Sequence, residues 1–162
     1  MFDSLKPGDP VTISGPVGLL VLKEEQPARY LLVGTSTGIT PYRSMLDEIS
    51  KRLDSQPNLE VHVIQGVREA KDLLFEQDFL ALAEKHPNFH FYACYSRADN
   101  VAKPHERIGR VQHTLEELRP NPESDLVYLC GNPNMIDENF EQLTSNGFDR
   151  KSVRREKYVF SH

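Results

Sequence analysis

Strand-sized apolar runs alternate with segments of helical periodicity along most of this chain, and this alternation limits the possible folds more than any other feature. The runs are rich in β-branched, aromatic and leucine residues, which favour buried strands. They cover residues 30–33, 61–64, 89–95 and 126–130. Strands that alternate with helices in this way predict an α/β fold, here an open, Rossmann-like parallel sheet of about five strands with helices on both faces.

The segments between the runs carry apolar residues at helical spacing. The first follows Thr40, which we expect to cap the helix, and Pro41, whose missing N–H costs nothing at the first helical position. The second carries Phe75 on its apolar face, and the last ends before Gly147, which suits a left-handed cap. Weaker patterns predict a helix at 111–118, a final strand at 158–160 and two short strands at 11–14 and 19–22.

Composition excludes several classes of function. The 162 residues include 19 Lys and Arg against 24 Asp and Glu, an acidic balance that argues against a dedicated binder of nucleic acid or anionic membranes. No apolar run approaches the roughly 18 to 20 residues of a membrane span, and no signal peptide is visible. Cys94 and Cys130 do not form a CxxC pair and the six histidines are dispersed, so we expect no bound metal and a cytoplasmic location.

The most informative segment is GTSTGITP, residues 34–41, between the first strand and the first helix. Its small residues offer backbone N–H groups and hydroxyls to a phosphate, and the helix N-terminus adds partial positive charge. The segment is neither the GxGxxG fingerprint nor a Walker A loop. An ordinary strand-to-helix turn therefore remains the alternative to a phosphate cradle.

Further polar residues follow the other predicted strands. Ser96 and Arg97 come after the third strand, residues 131–135 come after the fourth, and Arg110 lies in the connection between them. An open α/β sheet binds its ligands beyond the carboxyl ends of its strands. We therefore expect these residues to contribute to one ligand site.

Together these motifs resemble the nucleotide-binding half of the ferredoxin-NADP reductase superfamily, in particular bacterial ferredoxin or flavodoxin-NADP reductases. The matching stretches, in order, are GTSTGITPYRSML (34–46), GVREAKDLLF (66–75), YSR (95–97), GRV (109–111) and CGNPNM (130–135). Residues 5–22 resemble the last strands of the flavin barrel that precedes this half. The resemblance thus divides the chain into a barrel remnant and linker at 1–28 and an NAD(P)-binding domain at 29–162.

The resemblance implies roles for the residues nearest the reacting groups. Cys130 would lie beside the nicotinamide near its C4, and Glu156 would place a carboxylate near the same ring, as the two catalytic candidates. Ser96 and Arg97 would grip the 2′-phosphate of NADPH, with Arg110 as the second cation. A guanidinium makes paired, charge-assisted hydrogen bonds to a phosphate that the bare ribose of NADH cannot match.

The same resemblance implies contacts along the rest of the dinucleotide. Thr37 and Gly38 would hold the pyrophosphate, Gly131 would let the nicotinamide approach, Gln112 would contact the adenosine end, and Tyr158 would cover the flavin. The cofactor-binding candidates besides the phosphate grip are Gly34, Thr35, Ser36, Thr37, Gly38, Pro41, Gln112, Gly131, Asn132, Pro133, Met135 and Tyr158.

As a whole, the resemblance implies an NADPH-dependent flavoprotein that transfers a hydride between NADPH and FAD and exchanges electrons with ferredoxin or flavodoxin. Asp99 is of the acidic type found in this region of NADH-selective relatives. An NADH-dependent reductase subunit of a multicomponent oxygenase or flavin reductase is therefore one alternative. A stand-alone nucleotide-binding regulatory module without redox activity is another.

The chain departs from the family pattern in two respects. Ser36 stands where the family usually has a glycine, at a position where the backbone conformation favours glycine. The motifs that hold FAD are not found before Gly34, so the flavin domain would be supplied in cis or by a partner chain. We expect a piece of a longer reductase that binds nucleotide without turnover by itself, with a natural stand-alone module as the alternative.

Three features also have simpler explanations. Cys130 at a strand end is a common small core residue, and residues 156–158 suit an ordinary edge strand. The basic stretch near the C-terminus suits either the attraction of an acidic ferredoxin or flavodoxin or a solvated surface. Its members are Arg150, Lys151, Arg154, Arg155 and Lys157.

Overall fold

The structure, a computed structural model, describes residues 6, 8–12 and 20–157. Within residues 20–157, helices and strands alternate as the sequence predicts. Their order is β1 (Arg29–Thr35), α1 (Thr40–Ser44), α2 (Leu46–Ser55), β2 (Glu60–Val67), α3 (Glu76–Lys85), β3 (Phe89–Tyr95), β4 (Glu106–Ile108), α4 (Val111–Glu117), β5 (Asp125–Gly131), α5 (Pro133–Ser145) and β6 (Val153–Lys157). Two 3-10 turns, Ser36–Ile39 and Ala70–Asp72, lie between them.

All neighbouring strands of the described sheet are parallel, in the order β4-β3-β2-β1-β5-β6. The predicted α/β class is confirmed, but the described sheet has six strands rather than about five. The additional strand, β4, has three residues at the sheet edge, too few for a periodic sequence pattern. Strand order reverses between β1 and β5, and such a switch point forms a crevice beyond the carboxyl ends of its strands.

Side chains on each face of the sheet pack against different helices, as predicted. On one face, Leu32 and Tyr128 share a buried cluster with Ile49 of α2 and Phe79 of α3. On the opposite face, a second cluster joins residues such as Val33 and Val127 to residues of α4 and α5, among them Leu115 and Ile136. Burial on both faces explains why the strand sequences are almost continuously apolar.

Helix beginnings differ from prediction at two places. Thr40 does not cap the N-terminus of the helix: it is the first residue of α1, the preceding Ile39 occupies the N-cap position, and no side chain caps that end. Phe75 is not a core residue, because α3 begins at Glu76 and leaves Phe75 outside the apolar face, 38% exposed. The guanidinium of Arg43 instead lies over the Phe75 ring, 5.4 Å from its centre.

The strands predicted near the two chain ends can be compared with the structure only in part, because some of their residues lie outside the described ranges. Residues 158–160, predicted as a strand, lie outside the described part of the chain, and the last described strand is β6 at 153–157. Of the two short strands predicted near the N-terminus, residues 11, 12 and 20–22 are described, and none of these is in a strand. Among the described helices, none has the length and apolar character needed to cross a membrane.

Candidate functional site

The loop after β1 is held tightly against the end of β5. Gly38 is buried, and a Cβ at this position would collide with the carbonyl group of Cys130. Ser36 adopts a φ of 51°, in the left-handed region, so the glycine-favouring backbone that the sequence suggests at this position is present. The loop thus presents the exposed Ser36 and Thr37 at the crevice over a floor of closely packed backbone.

The end of β5 is locked to the end of β1 in turn. The backbone N–H of Asn132 donates to Oγ1 of Thr35 at 2.9 Å. Gly131 has a φ of 120°, and a Cβ there would lie 2.5 Å from the same Thr35 oxygen. Only a residue without a side chain fits, so this glycine serves the close packing of the two strand ends as well as any ligand.

A second helix N-terminus points at the crevice. Oδ1 of Asn132 accepts from the backbone N–H groups of Asn134 (2.9 Å) and Met135 (3.3 Å) and so caps the thirteen-residue α5. Pro133 occupies its first turn, where a missing N–H is tolerated. The start of α5 and the loop after β1 together give this crevice the backbone N–H groups and partial positive charge that favour an anion.

Both predicted catalytic residues lie beside this crevice, on adjacent strands. Cys130 of β5 is in register with Gly34 of β1 on one side and with Glu156 of β6 on the other. Side chains in register on parallel strands point to the same face of a sheet, so Cys130 and Glu156 are neighbours on one face. Cys130 is fully buried in the first core cluster, whereas Glu156 is half-buried.

Arginines collect at the carboxyl ends of the other three strands. The N–H of Ser96 donates to the Val67 carbonyl and that of Arg97 to the Arg68 carbonyl, both at 3.0 Å, which ties together the ends of β2 and β3. The N–H of Gly109 donates to the Tyr95 carbonyl at 2.9 Å and ties in the end of β4. This edge of the sheet carries three exposed arginines and an exposed serine: Arg68, Arg97, Arg110 and Ser96.

Arg68 was not among the predicted site residues. Its signal was present, because the third residue of the GVR motif comes directly after β2 and therefore at the same edge as Arg97. The pKa of the neighbouring Glu69 is lowered, mainly by a hydrogen bond from Lys71 and to a smaller extent by the charge of Arg97. The Arg97 guanidinium therefore lies within electrostatic reach of the residues that follow β2.

Two predicted cofactor contacts have other partners in the structure, and one lies outside the described residues. Nε2 of Gln112 donates to the Glu138 carboxylate of α5 at 2.7 Å. Met135 is buried in the second core cluster. Tyr158, expected to cover the flavin, is the residue outside the described part of the chain.

Contacts within the chain engage most of the C-terminal basic stretch. Arg154 pairs with Glu25 and Lys157 with Asp137, each at 2.7 Å. The guanidinium groups of Arg155 and Arg150 lie 3.6 Å and 5.7 Å from the centre of one phenylalanine ring, that of Phe140. These contacts favour the interpretation that the basic stretch is a locally stabilised surface rather than a preformed docking patch.

Comparison with known proteins places these features in a family. Residues 32–139 match the family described as the oxidoreductase NAD-binding domain. The chain is 31% identical over 156 residues to the toluate 1,2-dioxygenase electron transfer component of Pseudomonas putida, and the match covers 96% of this chain and 44% of that protein. It is 28% identical over 160 residues to the reductase component of the propane 2-monooxygenase of Rhodococcus jostii, covering 97% and 42%. The chain thus spans less than half the length of these relatives.

Solved structures show the same relationship. The Amycolatopsis cytochrome P450 reductase GcoB superposes with a TM-score of 0.78 at 30% identity, over 96% of this chain and 46% of that chain. A ferredoxin NADP+ reductase from Neisseria gonorrhoeae with bound FAD and NADP superposes with a TM-score of 0.64 at 27% identity, over 82% and 56%.

Proposed function

The chain belongs to the oxidoreductase NAD-binding domain family, and we propose that it is the nucleotide-binding half of a flavin-dependent reductase that takes its electrons from NADPH. The proposed domain begins at residue 29, where β1 begins. Residues 1–28 would then be the linker and the end of the flavin domain. The chain on its own would bind nucleotide but would not turn over.

The observation that carries the choice of NADPH is the group of three exposed arginines at the ends of β2, β3 and β4. Arg68, Arg97 and Arg110 lie at the edge of the sheet that also bears Ser96, and each offers a planar set of donors suited to a phosphate. A 2′-phosphate is the part of NADPH that NADH lacks. The donors present therefore fit the nucleotide that carries the additional phosphate.

Within this proposal, the residues of the chain bind and orient the nucleotide. The loop around Thr37 and the N-terminus of α5 receive the pyrophosphate, and the arginine group holds the 2′-phosphate end. When bound, the nucleotide supplies the hydride, and the flavin of the other half receives it. Cys130 forms part of the buried wall of the crevice, and Glu156 beside it provides a carboxylate near the reacting end.

The second candidate is an NADH-dependent reductase component of an oxygenase. Two observations favour it: the similarity to the toluate dioxygenase electron transfer component, and the exposed Asp99 two residues after Arg97. A carboxylate there accepts hydrogen bonds from the 2′-hydroxyl of NADH and repels a 2′-phosphate. Under either candidate the electron acceptor is a partner protein, an oxygenase component or a ferredoxin or flavodoxin, and we propose a cytoplasmic location.

Calorimetric titration of the chain with NADP+ and NAD+ tests the proposal. We expect NADP+ to bind at least about tenfold more tightly, since each hydrogen bond to a charged group contributes roughly 1.5 to 3 kcal/mol. Arg97→Ala should remove most of this preference and leave NAD+ affinity nearly unchanged. Arg150→Ala is the matched control, because Arg150 is an exposed arginine that precedes β6 and so lies at the amino ends of the parallel strands, opposite to the arginine group.

Two other results of the titration would contradict the NADPH proposal, each in a different way. Tighter binding of NAD+, together with a gain in NADP+ affinity for Asp99→Ala, would establish the second candidate instead. If neither nucleotide binds, the NADPH-dependent and the NADH-dependent candidates would both be refuted.

A further inference from the structure

Residues 20–26 lie over the face of the sheet that α2 and α3 cover, without belonging to a strand, and three side chains bind their backbone. The carbonyl oxygens of Val21, Lys23 and Glu25, which alternate along the segment, all accept hydrogen bonds from the domain beneath. In a sheet, the backbone N–H groups of a neighbouring strand bind every second carbonyl along one side of a strand. Here side chains replace that strand, and we call residues 20–26 the strap.

The three donors come from three different elements. The hydroxyl of Tyr128 on β5 donates to Val21 at 3.3 Å, Nη1 of Arg52 on α2 donates to Lys23 at 2.7 Å, and the hydroxyl of Tyr30 on β1 donates to Glu25 at 3.0 Å. Burial raises the pKa of both tyrosines, so both hydroxyls stay protonated and able to donate. The strap is therefore fixed to the sheet and to a helix at once.

Arg52 is itself held in place for this contact. Its Nε donates to Glu48 at 2.9 Å, its Nη1 also lies 2.7 Å from the Tyr30 hydroxyl, and its guanidinium lies 5.9 Å from the centre of the Tyr30 ring. A preoriented guanidinium loses less entropy when it binds a carbonyl. Apolar contacts add to the attachment, since Leu20 and Leu22 pack against the first core cluster.

The strap leads toward the crevice. Tyr128 is in register with Leu32, two residues beyond Tyr30 toward the carboxyl edge of the sheet, so the strap rises from Glu25 to Val21 in that direction. Tyr128 is also only two residues before Cys130 on β5, about 6 to 7 Å along the strand. The N-terminal end of the strap, at Val21, therefore lies nearer to the crevice than its other end at Glu25.

We propose that Arg52, Tyr30 and Tyr128 are positioning residues. Together they fix the strap, so that the preceding half of the reductase is held in one orientation over the crevice. This inference rests on the proposed function. Hydride transfer requires two rings at a near-attack distance, which a freely flexible linker would satisfy only part of the time. A strap bound at three points removes that freedom.

Cleavage of the native chain by a lysine-specific protease tests the attachment, because the carbonyl of the Lys23–Glu24 bond is the acceptor for Arg52. Cleavage there requires local release of the strap. We expect Arg52→Ala to accelerate the appearance of the fragment that begins at Glu24 by tenfold or more, with lysine sites other than the adjacent Lys51 unchanged, and Tyr128→Phe to accelerate it by a smaller factor. Arg43→Ala, which also loses an ion pair and an aromatic contact but touches no strap residue, should leave the rate as in the wild type.

A distance measurement tests the same attachment independently. Spin labels at Glu24→Cys in the strap and Glu141→Cys on α5, both at exposed positions on opposite faces of the sheet, should give a narrow distance distribution by double electron–electron resonance, and Arg52→Ala should broaden it. An unchanged rate at Lys23, an equal acceleration at all lysines, or an equally broad distribution in both proteins would overturn the proposal. NADP+ titration of the same samples separates the two proposals: absent nucleotide binding with a Lys23-specific effect refutes the proposed function while the strap attachment stands.

Discussion

At the scale of single residues, Ser36 is one of three described non-glycine residues with a left-handed backbone, together with Phe75 and Arg119. The left-handed conformation at φ 51° is disfavoured for a residue with a Cβ, and the preceding Thr35 forms no side-chain cap for the turn that begins at Ser36. The strain lies in the loop that we propose binds the pyrophosphate. Strain at such a loop is a common property of ligand sites.

Ser36→Gly should therefore stabilise the protein by about 0.5 to 1 kcal/mol, because glycine adopts this conformation without steric cost. Chemical unfolding followed by circular dichroism measures the change. Ser44→Gly is the matched control, since Ser44 has helical backbone in α1 and should lose about 0.5 to 1 kcal/mol on the same change. A Ser36→Gly variant that loses as much as the control would show that the conformation at position 36 carries no strain.

Residues of the site differ in how well the sequence alone locates them. Gly38 and Arg97 are predictable, because they belong to motifs placed directly after strands, and strand ends meet at one edge. The partner of Gln112 was not predictable, since Glu138 lies 26 residues away on another helix and only the packing of α4 beside α5 joins them. The burial of Met135 likewise depends on which face of α5 meets the sheet.

At the scale of elements, two adjacent strands carry a histidine pair on the face covered by α4 and α5. His62 of β2 stacks on His90 of β3 with ring centres 4.6 Å apart, and Nδ1 of His62 lies 3.3 Å from the Tyr92 hydroxyl. Burial lowers the pKa of His62, the charge of His90 lowers it further, and a hydrogen bond to Glu60 partly opposes both. The folded chain therefore resists protonation of His62.

The free energy of unfolding should consequently fall as pH decreases through about 6.5, the ordinary histidine pKa, because the unfolded state then binds a proton that the native state does not. One such group changes stability by at most about 1.4 kcal/mol per pH unit in this range. His62→Gln should flatten the profile between pH 7.5 and 5. Urea unfolding across this range measures it, with exposed His113→Gln as the control; equal slopes for wild type and His62→Gln would refute the assignment.

Elements with a strong periodic pattern were the ones predicted correctly. β1, β2, β3 and β5 each bury side chains on both faces, and this burial is what makes their sequences recognisable. Short or edge elements lack that signature: β4 has three residues, and β6 alternates exposed basic side chains with partly buried ones. The single predicted first helix is divided at Met45, where a local change in backbone separates α1 from α2.

At the scale of the whole molecule, the strap, the crevice and the arginine group lie on one structural unit. β1 is central to all three, since it contributes Tyr30 to the strap, Gly34 and Thr35 to the crevice, and pairs with both β2 and β5. A ligand that joins the arginine group to the crevice would therefore connect loops from five strands. Such a ligand stabilises the native state as a unit.

NADP+ should accordingly raise the melting temperature more than NAD+ at equal concentration. A ligand at one hundred times its Kd contributes about 2.7 kcal/mol, which for a domain of this size corresponds to a rise of roughly 5 to 11 °C. The same preparation, mixed with FAD and ferricyanide, should oxidise NADPH no faster than the mixture without protein, because no flavin is held against the crevice. Thermal scanning and absorbance at the NADPH band measure the two effects. A chain that is stabilised by NADP+ and also turns over would mean that free FAD binds productively at the crevice, and the reaction would then not depend on the position of a second half.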